Sequence, residues 1–515
     1  MKKKVFIAAF VLAALPMAAQ ETYENAKIAA EDLNGTARFV GMGGAMDALG
    51  ADISTIGTNP AGIGLFRSST ASVSFGMVSQ QDANNFADGH ATRASFDQLG
   101  FVVATHSGHS SFLNFGFNYH KSRNFNMLMS ATDKLKNASQ NKLTYAKAKN
   151  GLLFDVDPVT GVPDGRAPLI QCNQLDDIYA RNLNYDEEEN MWIYDPAYSY
   201  TFDRSHKGYV GEYDFNISTN INDRVYLGLT MGIHDVNYSH YGEYTEQMDG
   251  FGMLVADERK IEGSGFDIKA GIIIRPIETS PFRMGISVST PTWYELTTSN
   301  FTTLSDGPLS VDNSESYDFA LATPWKFGFS LGHTVGNYLA LGAGIDYTDY
   351  GSMDTRIITG EHYDYWYDNY YSESESDTEM NRHTNQTLKG VTTLKLGLEY
   401  KPMPEMAVRF GYNYVSPMYN KDGFKDGTLP SPGSYYSSAT DFTNWKATNR
   451  ITCGIGYYVG KWNIDVAYQY NATKGDFRPF MNCEDFETVE DDNLCNPVEV
   501  KNNRHQLLFT LGYRF

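Results

Sequence analysis

"HQLLFTLGYRF", His505 to Phe515, closes the chain and reads in steps of two. Leu507, Phe509, Leu511, Tyr513 and Phe515 share one face, and Gln506, Thr510, Gly512 and Arg514 share the other. Successive side chains point to opposite faces of a strand, so this period predicts β structure. The same period recurs in "NIDVAYQYN" (463–471), "EMAVRFGYNYV" (405–415), "TLKLGLEY" (393–400) and "FRMGISVS" (282–289). Alternation alone also fits the half-exposed sheet of a soluble sandwich. The residue types on each face separate the two readings. The apolar face keeps an aromatic near its ends, and the other face is rich in Gly, Ser and Asn, with charges. That is lipid outside, a polar lumen inside and aromatic girdles at the interfaces. A sandwich would instead bring its apolar faces together.

Fourteen such segments run from 69–78 to 503–515, so the fold class expected is an all-β, transmembrane antiparallel barrel of about fourteen strands spanning 69–515. The connections alternate in length. Short ones include "HSGHS" (106–110), "IETSP" (277–281) and "KPM" (401–403). Long ones are expected at 79–94, 122–205, 237–260, 293–316, 351–385, 417–446 and 472–502. Short periplasmic turns and long outer loops are the rule for outer-membrane barrels, and an even strand count leaves both chain ends on the periplasmic side. Within 122–205, "MLMSATDKLKN" (127–137) is expected to form a short helix. The acidic runs "LDDIYARNLNYDEEEN" (175–190) and "GEHYDYWYDNYYSESESDTE" (360–379) read as solvated outer surface.

The balance of 41 basic against 62 acidic residues, a net charge of −21, excludes the basic footprint that nucleic-acid binding needs. Gly (46), Tyr (35) and Phe (30) are abundant while mean hydropathy is only −0.40, which fits strands joined by polar loops. The N-terminus, "MKKKVFIAAFVLAALPMAAQ", has three lysines, a short apolar core and small residues before a cleavage site after Ala19. Residues 1–19 therefore read as a secretory signal peptide, too short to span a bilayer. Of four cysteines, Cys483 and Cys495 share one polar segment and are candidates for a disulfide in an exported protein, and Cys453 falls on the lipid-facing parity.

Fourteen strands leave a lumen that side chains alone do not fill. Residues 20–68 are available to occlude it. They lack alternation and are dense in glycine, and "ENAKIAAEDL" (24–33) has the look of a short helix. "GTARFVGMGGAMDALGADISTIGTNPAGIGLFRSS" (35–69), followed at once by "TASVSFGMV", resembles the N-terminal hatch of the long-chain fatty acid outer-membrane transporter family (FadL/TodX-like). The matching residues are Gly43, Gly44, Ala45, Ala51, Asp52, Asn59, Pro60, Ala61 and Gly62. "TPWKFGFSLGH" with "YLALGAGIDYTDYGSM" (323–353) resembles a middle strand pair of the same family. The resemblance implies a passive channel for hydrophobic compounds in the outer membrane of a Gram-negative bacterium. It also implies release past the hatch or through a gap in the wall. Asn59, Pro60, Ala61, Gly62 and Gly64 are then the candidate gating residues. Leu65 and Phe66 are expected to anchor the chain at the periplasmic rim before strand 1.

An amphiphile needs an apolar route and a polar or cationic partner for its head. Lys269, Lys326, Lys395 and Arg409 hold the inward parity and are candidate head-group cations. Alternatively they neutralise inward Asp267, Asp346, Glu399 and Asp465 as a wall network. Inward His120 and His234 show no triad spacing, so an enzyme is not expected. No motif asks for a cofactor or metal. Expected partners are membrane lipid, a hydrophobic small molecule and, through the strand ending at Phe515, the barrel assembly machinery. The alternatives are a structural or adhesion barrel working through its acidic, Tyr-rich loops, or uptake of another apolar ligand such as haem.

Overall fold

The computed structural model describes residues 21–108, 110–149, 154–156, 163–168, 183–186, 191–305, 310–364, 369–426, 439–482 and 492–515. The signal-peptide reading (1–19), most of the acidic run 175–190, and Cys483 with its proposed bond to Cys495 lie outside these residues.

Fourteen antiparallel strands close one barrel. They are β1 (Thr70–Gln80), β2 (Thr92–His106), β3 (Phe112–Asn124 continued by Met127–Lys134), β4 (Ser199–Ile221), β5 (Val225–Gln247), β6 (Gly252–Ile274) and β7 (Arg283–Ser289 with Trp293–Ser305). Then come β8 (Ser310–Ala322 with Lys326–Val335), β9 (Leu339–Asp349 with Asp354–Asp364), β10 (Asn369–Ser376 with Gly390–Met403), β11 (Met406–Val415), β12 (Phe442–Val459), β13 (Trp462–Arg478) and β14 (Val498–Lys501 with Arg504–Arg514). The barrel shuts by pairing β1 with β14, from Thr70 opposite Arg514 to Gln80 opposite Arg504. Among the described residues, four helices accompany the wall: α1 (Thr22–Ala29), α2 (Ala37–Gly41), α3 (Gln140–Lys149) and α4 (Thr378–Thr387).

Turn chemistry fixes the short-turn end. Asn222 and Asp223 take φ of 53° and 57° between β4 and β5, and Gly460 takes 60° between β12 and β13. Such left-handed residues match the twist of tight hairpins. On the outer face, Leu227, Leu229, Met231 and Ile233 of β5 are exposed, and so are Ile451, Cys453 and Ile455 of β12. These rows form the lipid belt, which ends on β5 where Asp235 and Asn237 follow.

The structure corrects the loop reading. The stretches 237–260 and 293–316, expected as loops, are mostly strand: β5 runs on to Gln247, β6 begins at Gly252 and β7 reaches Ser305. The expected helix at 127–137 is the outer part of β3. Above the belt the outer face meets water and turns polar, while the inner face carries buried residues such as Tyr238, Val255 and Leu304, so the outward apolar row disappears while the ladder continues. Prolines mark the two breaks in β7 and β8, at Pro291 and Pro324, because proline has no N–H for the ladder.

Candidate binding site

Residues 21–66 run inside the barrel, and most of them are buried. Local capping folds the segment. The Thr36 side chain accepts the Phe39 N–H at 3.1 Å to start α2. Its hydroxyl donates to Asp52 at 2.8 Å. Asn59 accepts the Ala61 N–H at 3.2 Å and caps the 3₁₀ turn at 60–65, with Pro60 in its first position. Asn59, Ala61 and Ile63 have no measurable exposure. Leu65 and Phe66 also turn inward: Leu65 packs on Tyr226 and Ile273, and Phe66 on Ile53 and Val102. Tyr226, Ile273 and Val102 lie near the short-turn end of their strands, so Leu65 and Phe66 face inward at that end of the barrel.

The wall makes room with glycine. A Cβ on Gly228 would overlap Pro60, and one on Gly271 or Gly285 would meet the Asn59 amide. Across the lumen, Cβ atoms on Gly342, Gly397 and Gly411 would overlap backbone atoms of Ala45, Met42 and Gly43. Close backbone approach of this kind is what glycine permits. Polar wall groups complete the contact: Asn114 donates to the Ile63 carbonyl at 2.7 Å, Thr230 to Ile56 at 3.1 Å and Arg283 to Leu49 at 2.8 Å. Gly64 lies against Thr219, and Gly62 packs on Thr55 within the segment itself.

Each of the four inward cations is paired. Lys269 bonds Glu212 and reaches Asp214 at 3.1 Å and Asp267 at 3.5 Å. Lys395 pairs with Asp47 at 2.9 Å and Asp346 at 2.6 Å. Arg409 bridges Glu399 at 2.7 Å and Asp465 at 2.5 Å. Lys326 pairs with Glu31 of the N-terminal segment. These are the carboxylates that sequence parity placed inside, joined by Glu212, Asp214, Asp47 and Glu31. His120, Glu212 and Asp214 each bring one potential metal-ligating atom within 4.8 Å of the others, but the Lys269 ammonium already lies on both carboxylates.

Above the glycine ring lies a cavity of about 300 Å³. Ala26, Ala29, Phe125, Tyr350, Met418 and Tyr419 give it an apolar side. Its lining is also charged and holds His120, His234, Lys269, Lys326 and Lys395, together with Arg123, Arg450 and Arg504. Sequence reasoning missed those three arginines and their carboxylate, Asp32. Parity would have found two of them, since Arg450 shares the face of Thr452 and Gly454, and Arg504 that of Gln506. Arg123 was hidden by a bulge between Lys121 and Arg123 that resets the parity of β3.

Beside this cavity the wall has a seam. The β1–β2 ladder reaches Thr92, but the β2–β3 ladder stops at Gln98 opposite His120. Beyond that point side chains bridge β2 and β3: Lys121 donates to Ser95 at 3.2 Å and Arg93 to Asn126 at 2.9 Å. The N-terminal segment closes the rest. The Asp32 N–H donates to the Ser122 carbonyl at 2.8 Å, and Asn34 donates to Asp97 at 3.1 Å and to the Lys121 carbonyl at 3.2 Å. The seam starts at the outer aromatic girdle, where Phe96 stacks on Tyr119 at 5.7 Å and Tyr119 meets Tyr213 at 5.0 Å.

No family model matches the chain, and no curated protein does. Among solved structures it is similar to the toluene transporter TodX of Pseudomonas putida, at 11% identity over 94% of this chain and 99% of that one, with a TM-score of 0.48. It is also similar to the toluene transporter TbuX of Ralstonia pickettii, at 12% identity over 94% and 99%, with a TM-score of 0.47. A FadL homologue of Pseudomonas aeruginosa matches at 12% identity over 98% and 100%, with a TM-score of 0.48. Likeness at this level carries no functional argument.

Proposed function

We propose that the chain is a passive outer-membrane channel, in a Gram-negative cell, for compounds with an apolar body, and that residues 21–66 are its hatch. One observation carries this reading. The lumen holds a cavity with an apolar side, and the adjoining break in the backbone ladder sits at the rim of the lipid belt, closed by the same N-terminal segment. An aqueous pore for polar solutes needs neither a seam facing lipid nor an apolar wall. A solute that partitions into lipid gains from both, because its apolar surface never has to cross water. Asn59 to Gly64 would hold the lower end of the hatch in the glycine ring, and the Asp32–Asn34 stretch would hold the seam. Belt residues would face lipid, and the exposed terminal Phe515 would present the last strand to the assembly machinery.

Flux into proteoliposomes tests the reading. Full-length protein should speed uptake of dodecanol and toluene about tenfold or more over empty vesicles, and leave arabinose uptake at background. A variant lacking residues 21–66 should pass arabinose as well. Equal dodecanol and toluene uptake with and without protein would overturn the proposal.

A further inference from the structure

Three carboxylates and two imidazoles meet in the wall around a single ammonium. His120 comes from β3, Glu212 and Asp214 from β4, His234 from β5, and Asp267 and Lys269 from β6. His120 is half-buried and the other five are buried. Lys269 bonds Glu212 Oε1 and reaches Asp214 Oδ1 at 3.1 Å and Asp267 Oδ1 at 3.5 Å. Among the described residues no other lysine or arginine lies within ion-pair distance of these three carboxylates. The neighbouring network is balanced, since Arg38 and Arg409 face Glu399 and Asp465. Here one ammonium faces three carboxylates. Two negative charges are left unmatched in a place shielded from water, a costly arrangement unless a cation joins them.

We propose that His120, Glu212 and Asp214 bind one divalent first-row transition ion, such as zinc. Lys269 need not leave, because it occupies only one edge of each carboxylate. The second oxygens face His120: Glu212 Oε2 lies 3.7 Å from its Nε2, and Asp214 Oδ2 lies 3.7 Å from its Nδ1. Asp214 Oδ2 is buried and accepts no hydrogen bond. His234 Nδ1 stands 3.9 Å from Glu212 Oε2. One ligand atom each from His120, Glu212 and Asp214 lies within 4.8 Å of the others. They must close to about 3.4 Å, the edge of a tetrahedron with metal bonds of about 2.1 Å, a shift that side-chain rotation supplies. Glycine leaves the space. A Cβ on Gly57 would lie 3.4 Å from His120 Cε1, 3.5 Å from Asp214 Oδ2 and 3.7 Å from Glu212 Oε1, and one on Gly232 would overlap Asp267. His120 and Glu212 also line the cavity, which gives the ion an entry path and a water for its open position. A charge of two makes the cluster neutral. Imidazole disfavours magnesium and calcium, which take oxygen ligands, and carboxylates disfavour copper(I). The bound ion staples β3 to β4. The inference concerns the wall and does not rest on the channel reading.

The test uses full-length, tag-free protein in non-ionic micelles, stripped with chelator and titrated with cobalt(II), zinc, magnesium and calcium. Cobalt(II) should give a visible d–d absorption that saturates at one equivalent and is abolished by zinc. Zinc should bind about tenfold or more tighter than magnesium or calcium. Asp214→Asn and His120→Gln should each weaken zinc about tenfold or more, with the Lys269–Glu212 pair left in place. Gly57→Ala removes no ligand and spares the fold, since its methyl makes only ordinary contacts. It should weaken zinc several-fold by crowding the ion, and it decides the matter should the ligand variants fail to fold. A staple also predicts a second readout. Zinc should raise the temperature at which the barrel loses its fast-migrating form on a gel, and Asp214→Asn should remove that rise. No cobalt absorption, or a zinc affinity unchanged in all three variants, would overturn the site. The first result would mean that the imidazoles carry the balancing protons, and the second that zinc sits on acidic surface loops. Failure of the channel reading looks different: dodecanol and toluene stay out of the vesicles while zinc binding stands.

Discussion

The lower and upper halves of the lumen hold the N-terminal segment by opposite means. In the lower half, glycines of the wall lie directly against backbone of residues 41–64, and the contact is mostly shape with neutral hydrogen bonds, joined by the Lys395–Asp47 ion pair and the Arg283 bond to Leu49. In the upper half, α1 and the stretch after it are held by charge. Arg259 reaches Glu21 at 3.3 Å and Glu24 at 3.6 Å, Lys27 donates to Tyr238 at 2.9 Å, and Asp32 sits on its arginines. The difference teaches what each half can do. A contact made by fit is either made or broken. A contact made by charge can be traded for another charge, so the end near the cavity is the end that a ligand can address.

The largest effect is expected where charge intrudes into the fitted half. Arg409 is fully buried and is the only cation within reach of Asp465 among the described residues. Arg409→Met should cost about 3–5 kcal/mol, because it strands a buried carboxylate. The check is urea unfolding of the barrel in vesicles, and a loss below about 1 kcal/mol would mean that this network is solvated and the two halves do not differ. A smaller, more selective effect is expected at Gly342. Its missing Cβ leaves room for the Ala45 carbonyl, so Gly342→Val should cost about 1–3 kcal/mol by overpacking. That cost falls on the segment rather than on the wall. Protease added to the periplasmic side should then cut residues 41–64 while the barrel keeps its heat-dependent shift on a gel. Valine tolerated with no new cleavage would show that the glycine ring is not what seats the N-terminal segment.

How much of this was legible beforehand follows the same division. Period-two alternation marked the wall wherever one face meets lipid, as in Leu507 to Phe515, because burial in hydrocarbon enforces the pattern. It failed above the belt. "NYSHYGEYTEQ" (237–247) is strand in the structure, yet it carries no outward apolar row, because its outer face meets water while Tyr238 and Tyr244 turn inward. The inward glycines were visible in the sequence, but the ring they form needs the register of ten strands at once. The inward cations and their carboxylates could be named from parity, but their pairing could not, and Glu212, Asp214 and Asp47 were not among them. The arginine site was least legible. Its members, from Asp32 to Arg504, come from β3, β12, β14 and the N-terminal segment, spread over most of the chain, and a bulge moves one of them off its expected face.

Acid separates the two halves most gently. Burial alone would push the Asp32 carboxyl up, but Arg123, Arg504 and Arg450 more than offset this and hold it near pH 2, against 3.8 in the unfolded chain. A depressed carboxylate adds stability that is present above about pH 4 and is lost as the pH falls toward 2, here about 2 kcal/mol. Asp52, in the fitted half, goes the other way. Burial raises it, only partly opposed by Arg38, Ser54 and Thr36, so its charged form is penalised in the fold and protonation relieves the cost. Lowering the pH from 5 to 3 should therefore loosen residues 24–34 and leave residues 50–60 as tight or tighter. Hydrogen exchange, corrected for the intrinsic rate at each pH, reads this directly: peptides over 24–34 should gain exchange several-fold and peptides over 50–60 should not. Asp32→Asn should reduce the response at 24–34, since it removes the titrating group from beneath the arginines and leaves what Glu24 and Glu31, also held low, contribute. Equal acid loosening at both ends would show that the segment leaves the lumen as one body, and that the seam end has no independent motion for a ligand to use.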